Sequence, residues 1–99
     1  MFGSKKREIV RKVAAKESLR GANLPKILLC GADLRGADFE GANLYHANFQ
    51  GADLEDANFQ GANLKDANFI SANCLNANFT NARCEGASFY GANMYKVKR

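Results

Sequence analysis

Alanine returns every fifth residue along most of this chain, and that spacing limits the possible folds more than any other feature. The stretch GADLEDANFQGANLKDANF, Gly51 to Phe69, shows the unit: Ala, then Asp or Asn, then Leu or Phe, then two variable residues. An α-helix advances ~100° per residue, so a five-residue step leaves ~140° net and the bulky residues wind around it without forming a stripe. A straight strand alternates with period two, so an odd repeat would point the bulky residue inward and outward by turns. A chain that bends once per unit escapes both conflicts.

Within Ala57-Asn58-Phe59-Gln60-Gly61, Ala57 and Phe59 share parity and can both point inward while Asn58 points out. Gln60 and Gly61 are left for a corner. Gly, Asn, Asp, His or Ser fills the last position of most units, and most of these suit tight turns. The frame holds for sixteen units from residue 17 to 96, starting with ESLRG. One short side and one corner, repeated, make a coil.

The bulky positions set the number of sides. Phe occupies 39, 49, 59, 69, 79 and 89, while Leu, Cys or Met occupies the intervening positions from 34 to 94. In a three-sided coil Phe would stack on Leu. In a four-sided coil of twenty residues the columns become uniform, with Phe39 under Phe59 and Phe79, and Leu34 under Leu54 and Cys74. Like on like packs without voids. The expected body is a square solenoid of about four turns, roughly 20 Å tall at the ~4.8 Å spacing of neighbouring strands.

The motif A-(D/N)-(L/F)-x-x over residues 17–96 closely resembles the pentapeptide repeat family. The resemblance implies an all-β solenoid in the form of a right-handed quadrilateral β-helix. The handedness comes from the resemblance; the four sides come from the columns.

Residues 1–16 read as a basic amphipathic capping helix. Ser4 is the N-cap candidate, and Ile9, Val10, Val13 and Ala14 form one apolar stripe. The first coil is irregular: Pro25 breaks the corner chemistry, and Leu28, standing where Asp or Asn usually points outward, is expected to pack under the helix. At the other end, Ile70 lies below Tyr90 and Leu75 below Tyr95, which with Met94 gives an apolar C-terminal patch. Residues 97–99 read as a basic tail. Such a patch suits a homodimer through the C-terminal coil, as in some members of the family that the chain resembles.

No chemistry is encoded in a recognisable pattern. His46 reads as an exposed turn residue. Cys74 and Cys84 replace Leu in the inward slot, and Cys30 falls at an outward corner; no Cys/His spacing matches a zinc site. The Asp/Asn row has period five, unlike nine-residue calcium-binding β-helix repeats, and is expected to bond to turn backbone and to the same residue one coil away. No catalytic constellation, phosphate loop or dinucleotide fingerprint appears. The reading is therefore a non-enzyme without catalytic, metal or cofactor sites.

Charge divides along the chain. Residues 1–26 carry +6 and residues 27–96 carry −4, within a total of +4. Asp33, Asp38, Glu40, Asp53, Glu55, Asp56 and Asp66 make an acidic surface on the body. The leading reading is a non-catalytic structural and interaction module that presents regular faces to an unidentified protein partner. The alternative is DNA mimicry, inhibiting or protecting a type II topoisomerase such as DNA gyrase, which the resemblance suggests and the acidic surface fits in part. Direct nucleic-acid binding through the basic head is not expected, nor is membrane association. Odd cysteine number and lack of a secretion-type apolar core point to a cytoplasmic protein. The regularity also suits a segment of a longer array or an engineered chain, although the break at Pro25 and the drift to Cys and Asn read as natural.

Overall fold

Parallel contacts join each residue of the Asp/Asn row to the residue twenty positions on, as in Asp33 with Asp53, Asn48 with Asn68 and Asn58 with Asn78. The computed structural model describes residues 4–99, and this register runs through all of them after the first helix. The contacts are isolated single-residue bridges, and none lengthens into a strand. Physically, each side is too short for more. Leu34 N–H donates to the Asp53 carbonyl at 2.8 Å, and Asp53 N–H donates back to the Ala32 carbonyl at 2.9 Å. Two residues later the chain has already turned.

The corners share one construction. The alanine N–H closes a turn onto the bulky residue before it, as in Ala57 to the Leu54 carbonyl at 3.0 Å. The third residue of that turn has positive φ, the requirement of a type II turn. Every fifth residue from Lys16 to Lys96 sits there, glycine or not. Nine are not glycine, Lys26, His46, Asp56 and Lys96 among them, each at φ near +60°. For these side chains the left-handed backbone costs ~1–2 kcal/mol per residue. The turn and the bonds between coils must offset that cost at each site.

The outward Asn or Asp stabilises the same corner. Its Oδ1 accepts the N–H two residues on, as Asn58 does from Gln60 at 3.0 Å and Asn68 from Ile70 at 2.8 Å. The amide also bonds between coils: Asn73 Nδ2 donates to Asp53 Oδ1 and Asn93 Nδ2 to Asn73 Oδ1, both at 3.1 Å. One short polar side chain thus serves the turn below it and the ladder beside it.

Inside, alanine and the bulky residue of each unit form one apolar cluster. Phe39, Phe49, Phe59 and Phe69 are fully buried. The like-on-like columns are present: Phe49 stacks on Phe69 at 4.9 Å and Phe59 on Phe79 at 5.1 Å between ring centroids. The two Phe columns also meet each other edge-on, as Phe59 and Phe69 do at 5.6 Å and 89°. Sides with Phe face each other across the interior, and sides with Leu or Cys fill the other pair. Offset-stacked and edge-to-face arrangements are the preferred aromatic geometries.

Helix α1 spans Lys5–Ala14. The Ser4 hydroxyl accepts the Arg7 N–H at 3.2 Å, closing the N-terminus as expected. Met1 to Gly3, part of the segment read as a cap, lie outside the described residues. At the far end, Lys16 N–H reaches the Val13 carbonyl and Glu17 N–H the Lys12 carbonyl, both at 2.9 Å, with Lys16 at φ 61°. This is the Schellman ending of a helix. It also places Lys16 in the corner position of the five-residue frame, so the helix delivers the chain to the coil in phase. Ile9 and Val13 are buried in the same cluster as Leu19 and Leu24.

Two expectations about the ends change. Leu28 does not pack under the helix; it is 66% exposed. The residues of α1 that reach the apolar cluster are Ile9 and Val13, one turn apart, with Val10 packed against it in part, and an outward side chain at Leu28 lies on the other side of the coil wall. The coil pattern also runs past residue 96: Lys98 bridges Asn78, and its carbonyl accepts the Phe79 N–H at 2.7 Å.

The Phe column is the part of the core whose removal leaves the largest void. Phe59→Ala should cost ~3–5 kcal/mol of unfolding free energy in denaturant melts. A cost near zero would mean that Phe59 does not face the interior.

Candidate interaction surface

Corner positions also stack, because from Glu40 to Tyr95 the carbonyl of the fourth residue in each unit accepts the corner N–H one coil before. Ser71 N–H donates to the Tyr90 carbonyl at 2.9 Å and Asn76 N–H to the Tyr95 carbonyl at 3.0 Å. Ile70 therefore lies directly beneath Tyr90, and Leu75 beneath Tyr95. The two columns flank one side of the coil, whose floor is the bonded pair Asn73 and Asn93. Tyr90 is 82% exposed and Tyr95 65%. Ile70 and Leu75 are half-buried, as is Met94, which points into the last coil rather than onto this side. Lys96 Nζ sits 5.5 Å from the Tyr95 ring centroid, within cation–π reach. The side joins exposed tyrosines to Asn, Ser71 and Gly91, the residue types enriched in antibody binding loops.

The acidic residues behave differently from one another. Arg20 Nε donates to Asp38 at 2.7 Å, and its Nη2 lies 3.3 Å from Glu40. Arg35 donates to both Asp33 oxygens at 2.9 Å and stands 3.7 Å from Asp53. Four of the seven predicted acids are thus held by two arginines. Asp66 lies 3.7 Å from His46 Nε2. Glu55 and Asp56 have no ion pair among the described residues. Arg20 and Arg35 are the residues that sequence reasoning missed. A column signal existed only for Arg20, which stands in the column of Glu40; Arg35 reaches Asp33 and Asp53 in another column.

These pairs leave a titration signature. Hydrogen bonds from the Arg35 side chain and backbone hold the Asp33 carboxyl below its ordinary range. At Asp38 partial burial pushes the carboxyl up, but the Arg20 guanidinium, the Glu40 N–H and the Asn58 amide together outweigh it and hold it down. His46 is an exposed corner residue at φ 60°, packed edge-on against Tyr45 at 4.7 Å. A Cβ on Gly86 would meet the exposed Asp66 carboxylate, which would have to swing aside.

The cysteines follow their slots. Cys30 is exposed, Cys84 half-buried and Cys74 buried. Burial pushes the Cys74 thiol up to about 12. Cys84 is raised as well, by burial first and then by Glu85. No group of three or more His, Cys, Asp or Glu suited to a metal ion occurs among the described residues. Among them, no helix is long and apolar enough to cross a membrane.

The model of the family described as pentapeptide repeats matches the chain in 8 copies, over residues 18–51, 47–83 and 72–98. Among solved structures, a pentapeptide repeat protein of the Arabidopsis thaliana thylakoid lumen is 32% identical over 81% of this chain and 59% of its own, with a TM-score of 0.53. HetL of the cyanobacterium Nostoc sp. strain PCC 7120, a pentapeptide repeat protein involved in heterocyst differentiation regulation, is 36% identical over 77% of this chain and 38% of its own, with a TM-score of 0.40. Rfr23 of the cyanobacterium Cyanothece 51142 is 22% identical over 92% of this chain and 89% of its own, with a TM-score of 0.30. The chain spans less than two thirds of the length of the first two. No curated protein matches it.

Two measurements check the surface chemistry. Native thiol labelling should modify Cys30 first, Cys84 more slowly and Cys74 only on unfolding; early labelling of Cys74 would contradict its inward slot. The depressed Asp carboxyls stabilise the fold above the ordinary Asp value of ~3.9, and this contribution fades as pH falls through that value toward the lower native one. The stability gap between the wild type and Arg20→Ala should therefore narrow as pH drops below ~4. A gap that is constant with pH would mean that the Arg20 pair contributes nothing to stability.

Proposed function

The chain belongs to the pentapeptide repeat family, and we propose that it works as a non-catalytic interaction module whose coil holds recognition residues on a rigid frame. In this reading helix α1 caps the first coil, and the residues from 17 on form a right-handed, four-sided body of about four coils that runs through Lys98. The observation that carries it is the pair of exposed tyrosines, Tyr90 and Tyr95, standing over Ile70 and Leu75 beside a bonded Asn floor. Side chains fill the interior, so the frame offers sides and corners rather than a substrate cavity.

A second copy is one partner that this end suits. An isologous contact through the C-terminal coil would bring the exposed Tyr90 and Tyr95 of two copies together over Ile70 and Leu75. DNA mimicry of the kind that engages a type II topoisomerase is the weaker reading. It needs free acidic charge, and Arg20 and Arg35 take up Asp33, Asp38, Glu40 and Asp53.

Bait protein in a lysate of the source organism should capture a partner that Tyr90→Glu/Tyr95→Glu bait loses. Light scattering reports the self-association arm, with the wild type dimeric and the double variant monomeric. If bait and variant retain the same proteins and the same mass, the tyrosine-bearing side is not the recognition surface.

A further inference from the structure

A groove of about 590 Å³ runs along the N-terminal edge of the coil. Ser4, Lys5 and Lys6 at the start of α1 form one wall, and Asn23 to Leu28 at the first corner form the other. Three independent features of this edge concern what would fill it.

The first is backbone chemistry. Throughout the coil, the N–H of the second residue in a unit donates to the coil before it, as Asn48 does to the Ile27 carbonyl at 2.9 Å. Carbonyls of the second and fourth residues accept from that same coil: Asn43 from the Leu24 N–H and Tyr45 from the Lys26 N–H. At the groove, the matching groups are the N–H of Leu28 and the carbonyls of Asn23, Pro25 and Leu28. None has a backbone partner among the described residues. Cys30, the next carbonyl along, is met by Lys6 Nζ at 2.7 Å. The edge is a rung without a neighbour, a template for an extended segment.

The second is an apolar foothold. Leu28 replaces the outward Asn or Asp and is 66% exposed, and Pro25 replaces a residue whose N–H would have closed the local Asn turn. The third is charge. Lys5 and Lys6 stand on one wall, Lys5 shared with Glu8 at 3.4 Å and Lys6 with the Cys30 carbonyl, Lys26 lines the other wall with no ion pair among the described residues, and residues 1–26 carry +6.

We propose that this groove docks an extended acidic peptide carrying an apolar residue. Its main chain completes the open rung on one side of the corner, its apolar side chain lies against Leu28 and Pro25, and its carboxylates meet Lys5 and Lys26. This is strand addition to an exposed edge, with main-chain bonds supplying affinity and side chains supplying choice. The site is at the opposite end from Tyr90 and Tyr95, so it stands or falls separately from the tyrosine-bearing surface.

The test uses the full chain and an array of extended heptapeptides alternating Asp or Glu with Leu or Val, read against the same array with Lys in place of the acids. Fluorescence polarisation should find acidic members that bind saturably, and their Lys counterparts should bind at least about tenfold more weakly. Amide shifts in nuclear magnetic resonance spectra should centre on Asn23 and Leu28. Leu28→Glu and Lys26→Glu, both outward changes, should abolish binding with the spectrum otherwise intact, while Tyr95→Glu should leave it unchanged. Absence of binding across the acidic array, equal binding of both arrays, or retention in Leu28→Glu would overturn the proposal. So would binding seen only when residues 1–3 are removed, which would make the chain's own first residues the occupant.

Discussion

Everything in this molecule depends on the hydrogen bond that each coil gives the coil twenty residues on. Leu34 N–H to the Asp53 carbonyl is one instance, and the same 19-residue step recurs at Leu44, Phe59 and Phe69. A main-chain bond of this kind adds only ~0.5–1.5 kcal/mol net, but leaving a buried donor unmet costs more. The repetition therefore imposes a register, and the register imposes identity. A residue placed in a column must tolerate its own kind above and below. Phe on Phe, Leu on Leu and Asn on Asn satisfy that condition, and the backbone at every corner must then adopt the same left-handed angle whatever side chain stands there.

This explains which parts of the fold were legible in the sequence. The period of five announced one side and one corner, and the Leu–Phe alternation announced four sides, because columns are visible in a one-dimensional string once the step is known. Single residues broke the legibility. Lys26 and Lys96 adopt positive φ without being turn formers: at Lys26 its N–H bond to the Tyr45 carbonyl one coil on holds the angle, and at Lys96 the corner is closed by Val97 N–H on the Met94 carbonyl. Leu28 was legible as an outward position, but its expected cover was not: the buried residues of the helix are Ile9 and Val13, and Leu28 stays 66% exposed. Side-chain reach was equally hidden. Arg20 and Arg35 cross to neighbouring columns and neutralise acids that, as letters in the sequence, looked free.

The surface follows the same logic as the core. Columns running the length of the coil change character along it: Gln50 gives way to Ile70 and Tyr90, and Glu55 to Leu75 and Tyr95. A uniform frame thus carries a graded exterior, with arginine-paired acids toward the helix and aromatic residues toward the other end. Recognition on such a frame depends on which residues occupy the outward corner positions, and those are the positions that the coil constrains least. Family membership accordingly fixes the frame and leaves the partner to the particular side chains.

The central claim is that twenty residues, four units, make one circuit. Excising residues 42–61 removes one circuit and joins Gly41 to Ala62 in the frame, with every column stacked as it is in the intact chain. Excising residues 42–56 keeps the five-residue frame but shifts the rest by one side, seating Phe59 over Leu24, Phe69 over Leu34 and Cys74 over Phe39, two more mismatches than the twenty-residue excision, which keeps the native seat of a Phe over Leu29. Denaturant unfolding of the two variants, followed by circular dichroism, compares them directly. The account predicts that the twenty-residue excision unfolds cooperatively and is the more stable by several kcal/mol, on the order of two core mismatches at ~1–3 kcal/mol each. Equal stability of the two, or greater stability of the fifteen-residue excision, would contradict it.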